Sequence, residues 1–523
     1  MTRILSLMAV VLLWTGRGWS QSLEVLEVGP DDRVVQLVRE ELDAAGNAYS
    51  VTNVYTEVAS GLNYWDGTTY QPSVPEFSII GTEAVADQGQ TKMVLPANLN
   101  VPGAVYVVDR EGKEYRSTPS FLALRDPANN HGIAIAALQD TVGEQVAPDQ
   151  VLYRDAFDLV AAAVRLSYRL DGTEQDIVLY EPLDPQQWGM PENSVLESWT
   201  ETFNWPDPVS VEVTQAGTLD DVRLRFGGLD IGQGSAFSLE NATSEVPVGK
   251  RFGKVGDRTF LVERVPYAQI KPMLDSLPAQ AGGKRSERLK RMAGLGKPGT
   301  DAEMVAAVGQ RRGREPRKET LVAEGVKRGR PDHRPGVVLD YATVTSGSAY
   351  VFDGGTTYYV SGTVNLAGAT LIGGAVIKMD STAATTMNFT GPVTCKTSAY
   401  RPVIVTAKTD NTVGGFVVAS DTGNPLPRNF GTPAIKLNAA GTAFVLHDIA
   451  VRRAAVAIRL EAGSLSATNV QIVSCGTGIY KAAGATTVGL RNVLADDVGV
   501  MFDGAGASGG ANAGYHLTVH RVP

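Results

Sequence analysis

The fold is decided by the stretch LHDIAVRRAAVAIRLEAGSLSATNVQIVSCGTGIYKAAGATTVGLRNVLADDVGV, which runs from Leu446 to Val500 and repeats itself. A polar residue followed by an aliphatic one recurs at intervals of 21 and 23 residues, at Asp448-Ile449, Asn469-Val470 and Asn492-Val493. Two further sets of similar residues keep this interval: Ile458, Ile479 and Val500, and Gly463, Gly484 and Gly506. A period of about 22 residues is typical of one coil of a solenoid.

Stacked coils give each recurring residue a physical role. Strands stack at about 4.8 Å, so residues one period apart lie above one another, with apolar side chains in internal columns. Polar residues at a bend can form a hydrogen-bonded stack. We therefore predict a right-handed parallel β-helix over residues 336–523, with Asp448, Asn469 and Asn492 in one bend ladder. Leucine-rich repeats have a similar length, but their Leu-x-x-Leu-x-Leu pattern is absent here.

Earlier coils are predicted from short runs of Val, Ile, Thr and Ala. They are Tyr358 to Leu366, Thr370 to Met379, Thr386 to Cys395 and Pro402 to Ala407, followed by a lateral loop from Thr409 to Phe430. The two cysteines, Cys395 and Cys475, are 80 residues apart and should lie several coils from one another. Since a disulfide requires Cα atoms within about 7 Å, we expect two free, buried thiols.

The last residues predict one more strand with no polar cap after it. This strand spans His516 to Pro523. Because a solenoid needs a cap over its last coil, either the β-helix is left open or the chain is the front part of a longer protein. We favour the second interpretation.

Residues 21–277 predict a β-rich N-terminal region, a meander or a sandwich. Short apolar runs alternate with turn signals, and three hairpins can be read directly: Asn63 to Tyr70 around Asp66-Gly67, Val107 to Tyr115 around Gly112, and Leu166 to Thr173 around Asp171-Gly172. One helix is predicted from Arg33 to Ala44, where Val34, Val35, Val38 and Leu42 fall at helical spacing.

Residues 278–335 change composition abruptly. Between Lys284 and Arg334 there are 15 Lys or Arg against 7 Asp or Glu, in a stretch rich in Gly and Pro and poor in aromatic residues. Such a segment buries too little apolar surface to offset its ordering entropy. We interpret it as a disordered basic linker, which could act as a spacer, tether the acidic domains or bind anionic polymers.

Bulk composition and the first residues point to export. The chain of 523 residues has a net charge of −9, which argues against nucleic acid as a specific partner. Two cysteines cannot build a disulfide framework, so large cores must supply the stability. Met1 to Ser20 predicts a signal peptide, with Arg3, an apolar run from Ile4 to Trp14 and small residues before the cleavage site. That run is too short to span a bilayer, so we expect a secreted or cell-surface protein without a transmembrane anchor.

The C-terminal third, about Val337 to Val522, resembles the right-handed parallel β-helix family that includes pectate-lyase-like proteins, in coil length and bend residues. The whole chain is similar to large secreted bacterial proteins of unknown function, some of which carry RHS-type repeats downstream. The sequence segments that carry this second resemblance are Asn98 to Asn100 after Leu95-Pro96, Gln150 to Phe157, and Pro392 to Pro402. The resemblance implies a surface role and contributes no catalytic residues.

Candidate catalytic residues are few. Asp496-Asp497 is the nearest local match to the paired carboxylates of sugar-cleaving β-helices. The Asn-Thr-Asp, Gly-His-Gly and Arg-Ile-Lys companions of the polygalacturonase pattern are absent, so a solvated turn is the simpler interpretation. A lyase would need an acidic calcium site beside a basic residue, and Lys378, Lys396, Lys408 and their neighbours lack clustered acids.

Metal binding also has little support in the sequence. His516 and His520 lie about 13 Å apart along a strand, too far to share one ion. The acids Asp140, Glu144, Asp149, Asp155 and Asp158 are dense but lack calcium-loop spacing. No metal site and no cofactor are predicted.

The aromatic residues Tyr64, Trp65 and Tyr70 could stack on sugar rings if they are exposed, although packing across the hairpin is the simpler use. We expect a structural or binding protein that uses its β-helix as a rigid spacer or ligand-binding surface, with polysaccharide or other cell-surface components as partners. A β-helix polysaccharide lyase or glycoside hydrolase is the alternative. A third hypothesis is the front portion of an RHS-like surface or toxin protein.

Overall fold

A computed structural model describes residues 21–215, 221–232, 234–240, 246–278, 297–312, 325–345, 347–381, 385–417, 428–482, 485–504, 506 and 512–522. The predicted signal peptide lies outside the described residues. The chain forms two compact units, one of residues up to Pro72 and from Ser346, the other of Ser73–Thr345. The predicted N-terminal region therefore contributes residues to both units, because its first strands pair with the solenoid.

The chain begins with an antiparallel sheet of three strands, β1 (Gln21–Val28), β2 (Asp32–Leu42) and β3 (Ala48–Val58). The helix predicted from Arg33 to Ala44 is wrong, since this segment is strand β2. Val35 and Leu37 alternate into a small core beside Tyr55, and Arg33 pairs with Glu57 of β3 at 2.6 Å. Apolar residues on both faces of the strand happened to match a helical spacing.

A short hairpin follows, formed by β4 (Asn63–Trp65) and β5 (Tyr70–Pro72). It confirms the predicted hairpin. Gly67 has φ +104° in its turn, a conformation that glycine adopts without strain.

The second unit is built from strands that are almost all antiparallel. They are β6 (Ser78–Ile80), β7 (Glu83–Ala86), β8 (Lys92–Leu95), β9 (Val105–Val108), β10 (Glu114–Arg125), β11 (Gly132–Ala137), β12 (Gly143–Ala147), β13 (Gln150–Tyr153), β14 (Ala162–Arg169), β15 (Gly172–Leu179), β16 (Val195–Phe203), β17 (Ser210–Gln215), β18 (Asp221–Arg225), β19 (Leu229–Ile231), β20 (Gly234–Ser238), β21 (Val246–Val255), β22 (Arg258–Pro266), β23 (Lys327–Arg328) and β24 (Val337–Thr345). A 3₁₀ turn spans Pro185–Trp188.

Neighbouring strands of this unit hydrogen-bond in the order β6-β7-β8-β9-β10-β16-β22-β21-β20-β24-β15-β14-β13-β12. The pairs β9–β10 and β14–β15 confirm the other two predicted hairpins. A large apolar core lies inside the strands, and Ile135, Tyr153 and Phe226 are among its fully buried members.

The predicted linker is folded wherever the structure describes it. Helix α1 (Tyr267–Asp275) precedes the segment, and helix α2 (Asp301–Arg312) lies within it. Met304, Val305 and Val308 fall on one face of α2 and are buried against Trp199. This apolar face anchors a segment whose composition predicts disorder. Residues 279–296 and 313–324 of the linker lie outside the described residues, and no helix in the described part is long and apolar enough to cross a membrane.

Strand β24 also departs from prediction, because it belongs to the second unit and not to the first coil. It pairs antiparallel with β15 along eight residues, from Val337 opposite Leu179 to Val344 opposite Gly172. Val337 and Leu339 enter the apolar core of that unit.

The C-terminal part is a β-solenoid, as predicted, with about seven turns seen in the described residues. Its strands are β25 (Ser348–Phe352), β26 (Thr357–Val360), β27 (Thr363–Ile372), β28 (Val376–Met379), β29 (Thr386–Phe389), β30 (Val393–Lys396), β31 (Val403–Ala407), β32 (Ile435–Arg452), β33 (Val456–Val473), β34 (Thr477–Lys481), β35 (Ala485–Asp496), β36 (Val500–Asp503) and β37 (Asn512–His520). All their pairings are parallel, and β26 also pairs in parallel with β3 of the N-terminal sheet.

The predicted bend ladder is confirmed. Asn469 donates to Asp448 Oδ1 at 2.9 Å, and Asn492 donates to Asn469 Oδ1 at 2.7 Å. All three residues have positive φ, between 52° and 55°, which places their side chains at the bend. One predicted column is out of register, because Val500 pairs with Thr477, and Phe502 follows Ile479 instead.

Both cysteines are free, as predicted. Cys475 is buried in the solenoid core, whereas Cys395 is partly exposed. Burial raises the pKa of the Cys475 thiol to about 12, so this residue behaves as an inert core side chain.

Candidate functional site

A cleft of about 750 Å³ opens in the second unit beside strand β21. Strand β20 pairs with β21 only as far as Val248. Beyond that point β21 keeps its pairing with β22, and Val222 and Leu224 of β18 form another wall. The lining residues are Trp205, Pro206, Asp207, Pro208, Val222, Leu224, Lys250, Arg251, Phe252, Gly253, Lys254, Asp257, Thr259 and Arg264. The size suits a small molecule or a short segment of a polymer.

Two aromatic rings give the cleft an apolar surface. Trp205 and Phe252 stack with their centroids 6.2 Å apart and their planes at 30°. Trp205 is held by its indole N–H, which donates to the carbonyl oxygen of Arg116 at 2.8 Å, and by edge contacts with Tyr115 and Phe226. Both rings are only partly buried, so a ligand can reach their free surfaces.

Charged residues line the cleft on both faces of β21. Side chains alternate along a strand, so Lys250, Phe252 and Lys254 share one face while Arg251 and Gly253 share the other. Lys250 is fully buried and lies opposite Glu263 of β22. Lys254 is exposed and forms no ion pair within the described residues.

The arginines of the cleft belong to a network in which three guanidinium groups share two carboxylates. Arg125 binds Glu197 through Nε at 2.6 Å and Asp301 through Nη2 at 2.6 Å. Arg251 contacts Asp301 at 3.0 Å, and Arg264 approaches Glu197 at 3.4 Å. Burial lowers the pKa of Arg264, and the neighbouring charges of Arg251 and Arg125 lower it further against the attraction of Glu197.

Gly253 leaves the middle of the cleft open. A Cβ atom added at this residue would meet no other atom within 4 Å. Its φ is not in the left-handed region, so the backbone here accepts any L residue. A large side chain at this position would project to the face of β21 that carries Arg251.

The residues predicted for sugar cleavage, Asp496 and Asp497, lie at the bend that follows β35. Asp496 accepts hydrogen bonds from His520 Nδ1 at 2.7 Å and Arg521 Nη2 at 2.6 Å, and Arg428 pairs with Asp497 at 3.0 Å. The bonds from Arg521 and His520 lower the pKa of Asp496 to about 2. A general acid must hold its proton near neutral pH, so this geometry suits Asp496 to joining adjacent coils and not to proton donation.

The aromatic residues predicted for ligand binding lie on the β4–β5 hairpin. Trp65 and Tyr70 are cross-strand partners, with ring centroids 5.2 Å apart and an edge-to-face angle of 70°. Trp65 remains 57% exposed, and Tyr64 is partly exposed on the opposite face of its strand. The hairpin therefore uses the pair for packing and still presents one indole face to solvent.

Three of the five acids considered as a calcium site are held by other contacts. Asp140 accepts hydrogen bonds from Asn98 and Asn100, Glu144 pairs with Arg154, and Asp158 accepts a backbone N–H. Among the described residues, no group of three or more His, Cys, Asp or Glu is placed to hold a metal ion.

Sequence reasoning missed the cleft because its residues come from separate strands and share no motif. The available signal was Lys250 to Lys254, in which basic residues flank a phenylalanine within the region predicted to be β-rich. No family model matches this chain, and searches of the curated proteins and of the solved structures find no match.

Proposed function

We propose that this chain is a secreted or cell-surface binding protein, in which the cleft beside β21 holds a segment of carbohydrate and the solenoid acts as a rigid spacer. The observation that carries the proposal is the stacked pair Trp205 and Phe252 inside a cleft lined by charged groups. Aromatic faces suit the apolar surface of a sugar ring, while charged and polar groups bind its hydroxyls.

The stacking of the solenoid supports the spacer role. Its coils are joined by backbone hydrogen bonds on several faces, by internal apolar columns and by the bend ladder. A structure in which each coil is fixed by its neighbours resists bending.

The test is retention of purified Gln21–Pro523 on a panel of immobilised acidic and neutral polysaccharides, with product release measured in parallel. Trp205→Ala should abolish retention because it removes the ring on which the sugar stacks. Tyr400→Ala, which removes an exposed ring of the solenoid outside the cleft, is the control.

Retention that survives Trp205→Ala would place the ligand elsewhere and overturn the proposal. The absence of retention on every polymer would overturn it too. Release of shortened products that Asp496→Asn with Asp497→Asn abolishes would favour the enzymatic alternative.

A further inference from the structure

The charge of the cleft differs from that of the rest of the molecule. The chain carries a net charge of −9, yet the described residues lining the cleft include four basic side chains, Lys250, Arg251, Lys254 and Arg264, against the two acids Asp207 and Asp257. Basic side chains therefore outnumber acidic ones among the described lining residues, and a basic side chain exposed in a cleft attracts ligands of the opposite charge.

The surrounding carboxylates already neutralise most of the cations of the cleft. Arg125, Arg251 and Arg264 share Glu197 and Asp301, and Lys250 lies opposite Glu263. Arg264 has the longest of these contacts, 3.4 Å. Lys254 stands outside these pairs, so an anionic group that binds it would disturb none of them.

Lys254 and the aromatic surface lie side by side. Phe252 and Lys254 are two residues apart on the same face of β21, which places their side chains roughly 7 Å apart. A sugar ring resting on Phe252 and Trp205 therefore has its substituents within reach of Lys254, whose ammonium group has no other partner among the described residues.

Resting on the binding function above, we propose that the ligand is an acidic polysaccharide, whose ring stacks on Trp205 and Phe252 and whose carboxylate or sulfate is bound by Lys254. A neutral polysaccharide with the same backbone as the acidic one lacks the charge that Lys254 attracts.

Dextran and dextran sulfate form a matched pair for the test, because they share a backbone and differ in charge, and polygalacturonate adds a carboxylate polymer. The wild-type protein should bind at least one acidic polymer more tightly than dextran, and added salt should weaken that binding. Lys254→Glu should lower the affinity about tenfold or more, since it removes a charge-assisted hydrogen bond and adds a repulsion. Lys113→Glu, a change at an exposed lysine outside the cleft, should leave the affinity unchanged.

The outcomes separate the two proposals. Neutral polysaccharides could retain the protein as well as acidic ones do, without salt dependence and without an effect of Lys254→Glu. In that case the charge preference is wrong while the binding function stands. If Trp205→Ala has no effect on retention, or if no polymer retains the protein, the binding function itself is wrong. Retention of the protein on dextran sulfate alone would support the charge preference and identify the anion as sulfate. Retention on polygalacturonate alone would support it and identify the anion as carboxylate.

Discussion

Lys378 is the residue whose burial is least expected from its chemistry. It is 0% exposed on the outer face of the solenoid sheet, in register with Tyr359 and Thr406, and Thr409–Val417 packs across this face. Its Nζ atom has no hydrogen-bond partner among the described residues. Burial lowers the pKa of Lys378 to about 8, against the opposing charge of Asp410.

This buried amine makes stability depend on pH. The unfolded chain holds a proton on Lys378 up to its ordinary pKa of about 10.5, whereas the folded chain loses it near pH 8. The free-energy cost of burying the charged amine is therefore fully present below pH 8 and disappears as the pH rises to about 10.5. Lys378→Met keeps the side-chain volume and should raise the free energy of unfolding of the solenoid at pH 7 by up to about 3 kcal/mol. The same change should flatten the pH dependence of this free energy between pH 8 and 10.

Urea unfolding at pH 7 and pH 9.5 measures both effects. Lys396→Met, a change at an exposed lysine of the same solenoid, should show neither. A loss of stability at pH 7 in the Lys378 variant would mean that the amine has a compensating partner.

At the scale of elements, the bend ladder fixes the stacking of the last coils. Asn469 donates to Asp448 and accepts from Asn492, and its φ of 55° is one that Asn tolerates better than most residues. Asn469→Ala should cost about 2 to 3 kcal/mol, from two lost hydrogen bonds and left-handed strain. Asn469→Gly removes the bonds but relieves the strain, so it should cost less, as measured by denaturant unfolding. An equal cost for the two variants would exclude backbone strain as a contributor.

The same scale explains what the sequence could and could not predict. A ladder repeats, so Asp448, Asn469 and Asn492 reveal both the coil and the bend. Strand β2 has apolar residues on both faces because one side packs on the sheet core and the other is half-buried, and this pattern resembles a helix. In the sequence, basic residues lie before and after helix α2, and this composition predicts disorder. The helix is ordered because three of its side chains are buried. The cleft depends on strands β18, β21 and β22 being brought together by tertiary packing, which no local pattern encodes.

At the scale of the whole molecule, the second unit interrupts the sequence of the first. The solenoid unit ends at Pro72 and resumes at Ser346, with Ser73–Thr345 folded as a separate body between them. The two large apolar cores share no residue: one is drawn from Phe77 to Leu339, the other from Val58 and from Phe352 to Val498. Each core is therefore formed by residues of one unit alone.

Independent cores should unfold in independent transitions. Ile472 is fully buried in the solenoid core and Ile135 in the core of the second unit. Ile472→Ala and Ile135→Ala should each destabilise their own unit by roughly 2 to 5 kcal/mol, because each opens a cavity in a close-packed interior. Differential scanning calorimetry should resolve two transitions. Ile472→Ala should lower the midpoint temperature of the solenoid transition, and Ile135→Ala should lower that of the second unit. If both variants shift a single common transition, the two units unfold as one cooperative body, and the solenoid could not serve as a spacer that stays rigid when the second unit opens.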